Sequence, residues 1–146
     1  DNHIRVDHAA ANTASRQTFR AIVDDKSRAV FNGKVIVHKN AQQIDAQQAS
    51  DNLLLSKRAE VDTKPELEIY ADDVKCSHGA TVGELDEQQL FYLRARGIEA
   101  QAARGLLTFA FANAVLEKIG LESLQSAAAQ RVAGLLPDHE RWERLA

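Results

Sequence analysis

The chain has 146 residues, is 45% hydrophobic and 27% charged, and carries a net charge of −3 and a single cysteine. This size and composition suit one globular domain or one and a half. The mildly acidic charge argues against a nucleic-acid or membrane-surface partner, and no apolar run approaches the ~20 residues of a membrane span. A lone cysteine excludes an internal disulfide, which together with the lack of a leader resembling a signal peptide predicts a reducing, cytoplasmic location.

Residues 1 to about 83 carry short apolar runs that predict β-strands. The opening segment DNHIRVDHAA already alternates, which indicates a chain cut from something longer. QTFRAIV alternates as well, RAVFNGKVIVH predicts two short strands hinged at Asn32-Gly33, and DNLLLSKRAEVD and ELEIYADDV continue the pattern. NAQQIDAQQASDN has the composition of a helix, but Ile44, Ala46 and Gln48 alternate, and we therefore predict a strand there.

The spacing of these strands leaves two folds open. They recur roughly every 10 to 15 residues with few hairpin dipeptides, which favours successive coils of a parallel β-solenoid whose neighbours bury one another's inner face. Side-chain amides, which can stack in ladders along such coils, are plentiful in this half: Asn32, Asn40, Gln42, Gln43, Gln47, Gln48 and Asn52. An antiparallel sandwich explains the periodicity equally well.

Residues from about 84 onward predict three helices. The first begins at the N-cap Asp86, has Gln89 as its capping-box partner, and ends at Gly97, which is placed as the left-handed C′ residue. A second helix is predicted over residues 99–119, and a third runs from near residue 121 to just before Pro137.

This change of pattern predicts two parts, residues 1–83 and 84–146. The tail from about residue 137 is polar apart from Trp142 and Leu145. Two interpretations of the tail stay open: partial disorder, or a last turn that docks onto the rest of the chain.

The second predicted helix is apolar over more of its surface than one core face needs, because Phe109, Ala112 and Leu116 widen its stripe. One interpretation is a core shared by the three helices and the end of the strand layer. The other is a docking surface for a partner protein.

The single thiol lies beside an imidazole in the segment ADDVKCSHGATVG. Cys76 and His78 are two residues apart on a predicted strand, so their side chains share a face and could share a metal ion or a proton. Val74 and Val82 share that parity, which favours Cys76 as a small buried hydrophobic residue and His78 as a strand-end histidine. Two ligands are also only half of the set that zinc usually requires.

No motif predicts a self-contained active site. The sequence lacks a phosphate-binding lysine loop, a GxGxxG segment and a GxSxG elbow. Asp72 and Asp73 would face opposite sides of a strand, so we predict a turn or edge position for them rather than a joint acid–base role. The other histidines are scattered and are predicted to lie at the surface: His3, His8, His38 and His139.

Four segments resemble the SufB/SufD family of iron–sulfur cluster assembly scaffolds: SRQTFRAIVDDKSRAVFNGKVIV, DNLLLS, VDTKPELEIYADDVKCSHGATVG and LDEQQLFYLRARGI. The similarity runs from about residue 15 to 119, and the third segment is long and specific. Cys76, Gly79 and the Val82-Gly83 pair resemble the SufD branch of the family. The resemblance is to a C-terminal portion, without the N-terminal helical region and the earlier coils of such proteins.

The resemblance implies a fold and a set of partners. The implied fold is mainly β, with a right-handed parallel β-helix core followed by a small C-terminal helical domain. Family members of this branch pair with SufB through their last coils and dock the SufC ATPase on the helical domain. ATP hydrolysis then occurs on SufC, so the chain itself is expected to be a non-catalytic subunit.

The resemblance also implies site residues. His78 matches the histidine at the SufB interface, where it would be a transient metal ligand during cluster formation, and Cys76 matches the neighbouring cysteine, whose role stays open between structural and site residue. No cofactor is expected to be held stably, and a partner thiolate would complete the ligand set of a transient iron–sulfur cluster. The residues predicted to dock the ATPase are Leu90, Phe91, Phe109 and Leu116.

Two further expectations concern partners and alternatives. An open strand edge tends to pair with another chain, so the isolated chain is predicted to form a homodimer through the same surface. An adaptor for an ATPase with no direct role in metal chemistry is the main alternative function. A stand-alone sugar-processing enzyme is disfavoured, because Asp7, Asp45 and Asp62 form no recognisable set of carboxylates.

Overall fold

The computed structural model describes residues 1–136 and residue 139, and the chain divides into two compact units, Asp1–Gly83 and Glu84–Ala146. The predicted tail from residue 137 therefore lies outside the described residues, apart from residue 139. Six strands come first in the chain order, followed by three helices. The strands are β1 (Asn2–His8), β2 (Ala14–Val23), β3 (Arg28–Val37), β4 (Ile44–Leu54), β5 (Glu60–Ile69) and β6 (Val74–Glu84).

The strands form two three-stranded sheets, in the orders β1-β3-β5 and β2-β4-β6. The pairs β1–β3, β2–β4 and β3–β5 are parallel. Each strand therefore pairs with the next but one in sequence, after the chain has crossed through a strand of the other sheet. Parallel neighbours need such a long connection, because a tight turn can join only antiparallel strands.

The predicted fold class, mainly β with a right-handed parallel β-helix, is wrong. The described residues form two parallel three-stranded sheets and three helices, which is an α/β fold, and nothing in them shows a right-handed β-helix. The antiparallel sandwich is wrong as well, because the registered pairs are parallel. The spacing of apolar runs indicates where strands lie, but the winding and pairing of strands depend on contacts between distant residues, which local periodicity does not report.

The hinge predicted at Asn32-Gly33 is absent, because β3 is one continuous strand from Arg28 to Val37. Gly33 instead lies where two side chains approach the backbone. A Cβ added there would lie 2.6 Å from Gln48 Nε2 and 2.6 Å from Phe31 Cζ. Packing rather than turn geometry therefore favours glycine at this position.

Gly33→Ala is expected to lower the free energy of unfolding by about 1–3 kcal/mol, because an extra methyl group in a packed site forces its neighbours to shift. Urea denaturation of the full chain measures this loss. Gly79→Ala is the matched control, since a Cβ at Gly79 would meet nothing within 4 Å, and it should change stability by less than about 0.5 kcal/mol. Equal unfolding midpoints for the two variants would contradict close packing at Gly33.

The core of the first unit is a cluster of small and branched apolar side chains, against which Leu67, Val74 and Cys76 pack. The cluster consists of Val35, Val37, Ala41, Ile44, Ala46 and Ala71. Strand β4 confirms the prediction made from the alternation of Ile44, Ala46 and Gln48, all three of which are buried. Alternation outweighs the helix-like composition there because it matches the pleat of a strand with one face in the core.

The helices are α1 (Glu87–Ala95), α2 (Ala100–Leu116) and α3 (Glu122–Ala133), of which the last two are shorter than predicted. The predicted ends of α1 are confirmed. Asp86 Oδ1 accepts hydrogen bonds from the Gln88 N–H at 2.7 Å and the Gln89 N–H at 3.4 Å, and Gly97 has a φ of 85°. None of the helices in the described part of the chain is long and apolar enough to cross a membrane.

Candidate functional site

Strand β6 forms one edge of the β2-β4-β6 sheet and carries both Cys76 and His78. Strand alternation places the two side chains on the same face, as their spacing predicts. Their environments differ, because Cys76 is half-buried and packs against the core cluster, whereas His78 is exposed. Val82, further along that face, is 49% exposed. The core therefore covers this face of β6 at Cys76 but not from His78 onward.

Two side-chain contacts align β6 with β4. Thr81 Oγ1 donates to Asp51 Oδ1 at 2.9 Å, and a backbone hydrogen bond joins Ala46 to the Cys76 thiol. Both contacts join residues separated by about 30 positions, the length of one two-strand repeat. Continued along β6, the same interval aligns His78 with Gln48.

Burial raises the pKa of the Cys76 thiol, and the negative charge of Asp45 raises it further, while the hydrogen bond from Ala46 opposes both effects. The thiol is therefore neutral at neutral pH. A neutral thiol is a poor nucleophile and a poor metal ligand, because the thiolate is the reactive form. Cys76 packs against the core of this unit and would have to lose a proton before it could bind iron.

Alkylation of Cys76 by iodoacetamide near neutral pH is expected to be several-fold slower in the folded chain than in the chain unfolded in urea. The raised pKa leaves less thiolate below about pH 9, and burial limits access. Asp45→Asn removes a charge that raises this pKa, so it should accelerate alkylation of the folded chain. Mass spectrometry over time measures both rates, and equal rates in the folded and unfolded chain would refute the burial argument.

No group of three or more His, Cys, Asp or Glu side chains within the described residues is arranged to hold a metal ion. The edge strand therefore offers two donors of different character: an accessible imidazole and a half-buried thiol. Such a pair can supply only part of a coordination shell. A complete site at this edge would need ligands from a second molecule.

The other predicted positions are mostly as expected. His3 and His38 are exposed, and Asp72 and Asp73 lie between β5 and β6. The surface prediction for His8 is wrong, because this residue is 4% exposed.

The ring of His8 links the two ends of the connection between β1 and β2. Its Nδ1 lies 2.7 Å from Thr13 Oγ1, and its Nε2 lies 2.9 Å from Ser15 Oγ. Both ring nitrogens are therefore paired with hydroxyl groups of this chain, which makes His8 a structural residue.

The four residues predicted to dock an ATPase differ in exposure. Phe91 on α1 is 73% exposed, whereas Leu90, Phe109 and Leu116 are half-buried. Phe109 packs against a small buried cluster that contains Ala102. The breadth of the apolar surface of α2 therefore serves the helical core at least in part.

The exposed aromatic surface of the helical unit lies on α1. Tyr92, next to Phe91, is 55% exposed, and the Arg96 guanidinium carbon lies 3.4 Å from the centre of its ring. Phe91 also lines an open hollow of about 510 Å³, together with Arg94 and Ile98. Large exposed aromatic side chains beside a hollow are typical of protein-binding surfaces.

These features define a protein with two exposed candidate surfaces: an open sheet edge with two candidate ligands on β6, and a helical unit with an exposed aromatic patch. The chain belongs to the SUF-system iron–sulfur cluster assembly family with the SufBD core domain, because the model of that domain matches residues 1–111. The predicted membership of the SufB/SufD family is confirmed.

Three relatives illustrate this membership. The chain is 48% identical over 141 residues to the iron–sulfur cluster assembly protein SufD of Escherichia coli, covering 97% of this chain and 33% of that protein. It is 47% identical over 133 residues to a SufBD family protein of Synechocystis, with 91% and 29% covered. It is 48% identical over 124 residues to the chloroplastic protein ABCI7 of Arabidopsis thaliana, with 84% and 26% covered. The chain thus spans about a third or less of each of these relatives.

Proposed function

We propose that this chain is part of a non-catalytic scaffold subunit of the SUF iron–sulfur cluster assembly machinery, with the nascent cluster as its cargo. The observation that carries the proposal is the family membership together with the placement of Cys76 and His78 on an edge strand. A ligand pair at an edge suits a site that two subunits complete together.

The β6 edge is the surface at which a SufB-type partner would pair. An edge strand presents unpaired backbone N–H and C=O groups that another strand can use. Gly79 and Gly83 leave room for that approach, because a Cβ added at either position would meet nothing within 4 Å. Without that partner, two copies of the chain would pair through the same edge.

The exposed imidazole of His78 would be the residue of this chain that contacts iron first. Imidazole nitrogen and thiolate sulfur both serve as ligands of iron–sulfur clusters. Cys76 lies on the same face but is neutral and half-buried, so partner thiolates would supply most of the coordination. Transfer of the nascent cluster to an acceptor protein would then break few metal–ligand bonds to this subunit.

The helical unit is the part that we assign to docking of a SufC-type ATPase, with Phe91 at the centre of the contact. ATP hydrolysis would occur on that partner, which couples to the scaffold through the helical unit. Cytoplasmic assembly fits the single free cysteine, because a thiol at the site must stay reduced.

The second candidate is an ATPase adaptor without metal chemistry. It is favoured by one observation: Cys76 packs against the core and burial raises the pKa of its thiol. In this case both Cys76 and His78 could be replaced without any effect on cluster assembly, while changes at Phe91 would abolish ATPase binding.

Co-expression with candidate SufB and SufC proteins, followed by anaerobic purification and visible absorption spectroscopy, tests the scaffold proposal. We expect a three-component complex that carries iron–sulfur absorption. Failure of the chain to co-purify with either protein would overturn the scaffold proposal. A complex whose absorption is unchanged by the double replacement of Cys76 and His78 would favour the adaptor.

Light scattering during size-exclusion chromatography checks the pairing surface. The isolated chain is expected to elute as a dimer at high concentration, because its β6 edge is open. The carbonyl groups of Asp73 and Thr81 face β4, so the backbone of Ala80 faces the open side of the strand. A proline at Ala80 removes a donor from that open side and should shift the chain toward monomer. A purely monomeric chain at all concentrations would contradict pairing through this edge.

A further inference from the structure

Gln48 is a buried amide whose oxygen lacks a partner. The residue lies on β4 and is 3% exposed. Its Nε2 donates to Gln17 Oε1 at 3.3 Å, whereas its own Oε1 has no hydrogen-bond partner among the described residues. Leaving a buried polar atom unpaired costs about 1–3 kcal/mol, so such an atom calls for an explanation.

The Gln48 amide is held in place on its nitrogen side. Gln17 and Gln48 are directly paired in the β2–β4 register, and Nε2 lies so close to Gly33 that a Cβ there would come within 2.6 Å of it. With its nitrogen bonded toward Gln17 on β2, the carboxamide directs its oxygen away from β2, because oxygen and nitrogen occupy different corners of one planar group.

His78 lies on the side of Gln48 away from β2. The sheet order is β2-β4-β6, and the two side-chain contacts between β4 and β6 align His78 with Gln48. Aligned residues of neighbouring parallel strands point to the same face. Gln17, Gln48 and His78 therefore form one row across the sheet, and His78 is exposed at its open end.

We propose that Gln48 is a positioning residue for His78. In the proposed arrangement, which rests on the proposed role of His78, one imidazole N–H of His78 donates a hydrogen bond to Gln48 Oε1. The structure does not contain this bond, since Gln48 Oε1 is unpaired among the described residues. The bond selects one neutral tautomer and directs the other ring nitrogen, with its lone pair, toward the partner side of the edge. Imidazole ligands of metals are commonly oriented in this way, through the ring nitrogen that does not bind the metal.

The tautomer of His78 tests the proposal directly. Long-range ¹H–¹⁵N spectra of the full chain, with ¹⁵N-labelled histidine, are expected to show one dominant His78 tautomer. Gln48→Met, which keeps the length of the side chain but removes the acceptor, should give a mixture of both tautomers. Gln48→Glu keeps an acceptor oxygen at the same distance and should retain the dominant form. Gln47→Met, at the exposed neighbouring position on the opposite face of β4, is the matched control and should leave His78 unchanged.

Two results would overturn the proposal. One is a mixture of tautomers in the unmodified chain, which needs no variant to fold. The other is a folded Gln48→Met chain whose His78 signals match those of the unmodified chain, as a merely structural role of Gln48 would give. In the assembled complex, Gln48→Met should lower iron loading about tenfold or more. The tautomer is read in the chain alone, so normal cluster assembly by a His78→Ala complex would defeat the proposed function without changing this result.

Discussion

Replacement of His78 by alanine is expected to lower iron–sulfur loading of the assembled complex at least tenfold, about 1.4 kcal/mol in binding free energy. The imidazole is the exposed donor on the β6 edge, whereas burial keeps the neighbouring Cys76 thiol protonated. Without His78, this face would present no ready ligand to the cargo. Iron and sulfide content per complex, together with visible absorption after anaerobic purification, measures the loss.

The matched control for this experiment is His3→Ala. His3 is also an exposed histidine on a strand, but its strand is β1, which belongs to the other sheet. It should leave cluster loading unchanged, and both variants should co-purify with SufB-type and SufC-type partners. Normal loading of the His78→Ala complex would show that the site assignment is wrong.

Cys76→Ser separates the two roles left open for the thiol. If Cys76 only packs against the core, serine should cost some stability, because it buries a hydroxyl group among apolar side chains. Cluster loading would then be unchanged. If the partner lowers the pKa of the thiol and recruits it as a ligand, loading should fall as it does for His78→Ala.

Phe91→Asp is expected to weaken binding of the SufC-type ATPase by about 2 kcal/mol or more, which is roughly a 30-fold rise in Kd. Phe91 is 73% exposed and lines a hollow of about 510 Å³. A partner that buries this ring would lose the apolar contact and would have to desolvate a carboxylate instead. Isothermal titration calorimetry with the purified ATPase measures the change.

Two variants make the Phe91 result interpretable. Leu121→Asp places the same charge on another exposed apolar residue of the helical unit, at 64% exposure, and should bind normally. Phe109→Asp is expected to destabilise the unit, because Phe109 packs against its buried cluster, so loss of binding there would report on folding. Unchanged affinity of Phe91→Asp would exclude α1 from the docking surface.

Local elements were predictable because their signals lie within a few residues. The ends of α1 follow from Asp86, which accepts backbone N–H bonds, and from Gly97, which takes a positive φ. The strand at Ile44–Leu54 follows from alternation, although alanine and glutamine favour a helix. The pairing of Cys76 and His78 on one face follows from strand geometry in the same way.

Predictions that depended on distant residues fared worse. The Asn32-Gly33 pair has the composition of a hairpin turn. Glycine is favoured there for another reason, because the side chains of Gln48 on β4 and of Phe31 lie close to its backbone. The burial of His8 depends on the hydroxyl groups of Thr13 and Ser15, which reach its ring only once the chain has turned from β1 into β2. The alternation of apolar residues predicted strands but did not reveal the interval of about 30 residues at which aligned residues recur. That interval aligns Gln48 with His78.

The sequence by itself determined which half of the chain forms strands, the start and end of α1 and the membership of the SufB/SufD family, because each depends on neighbouring residues or on a specific run of them. Only the tertiary structure decided that the strands form two parallel sheets, that β6 is an edge, and that Gln17 and Gln48 stand side by side in one of these sheets. These features arise from pairing between segments that are distant in the chain. The free energy that stabilises such pairing comes from burial and hydrogen bonds, which exist only once both segments are in place.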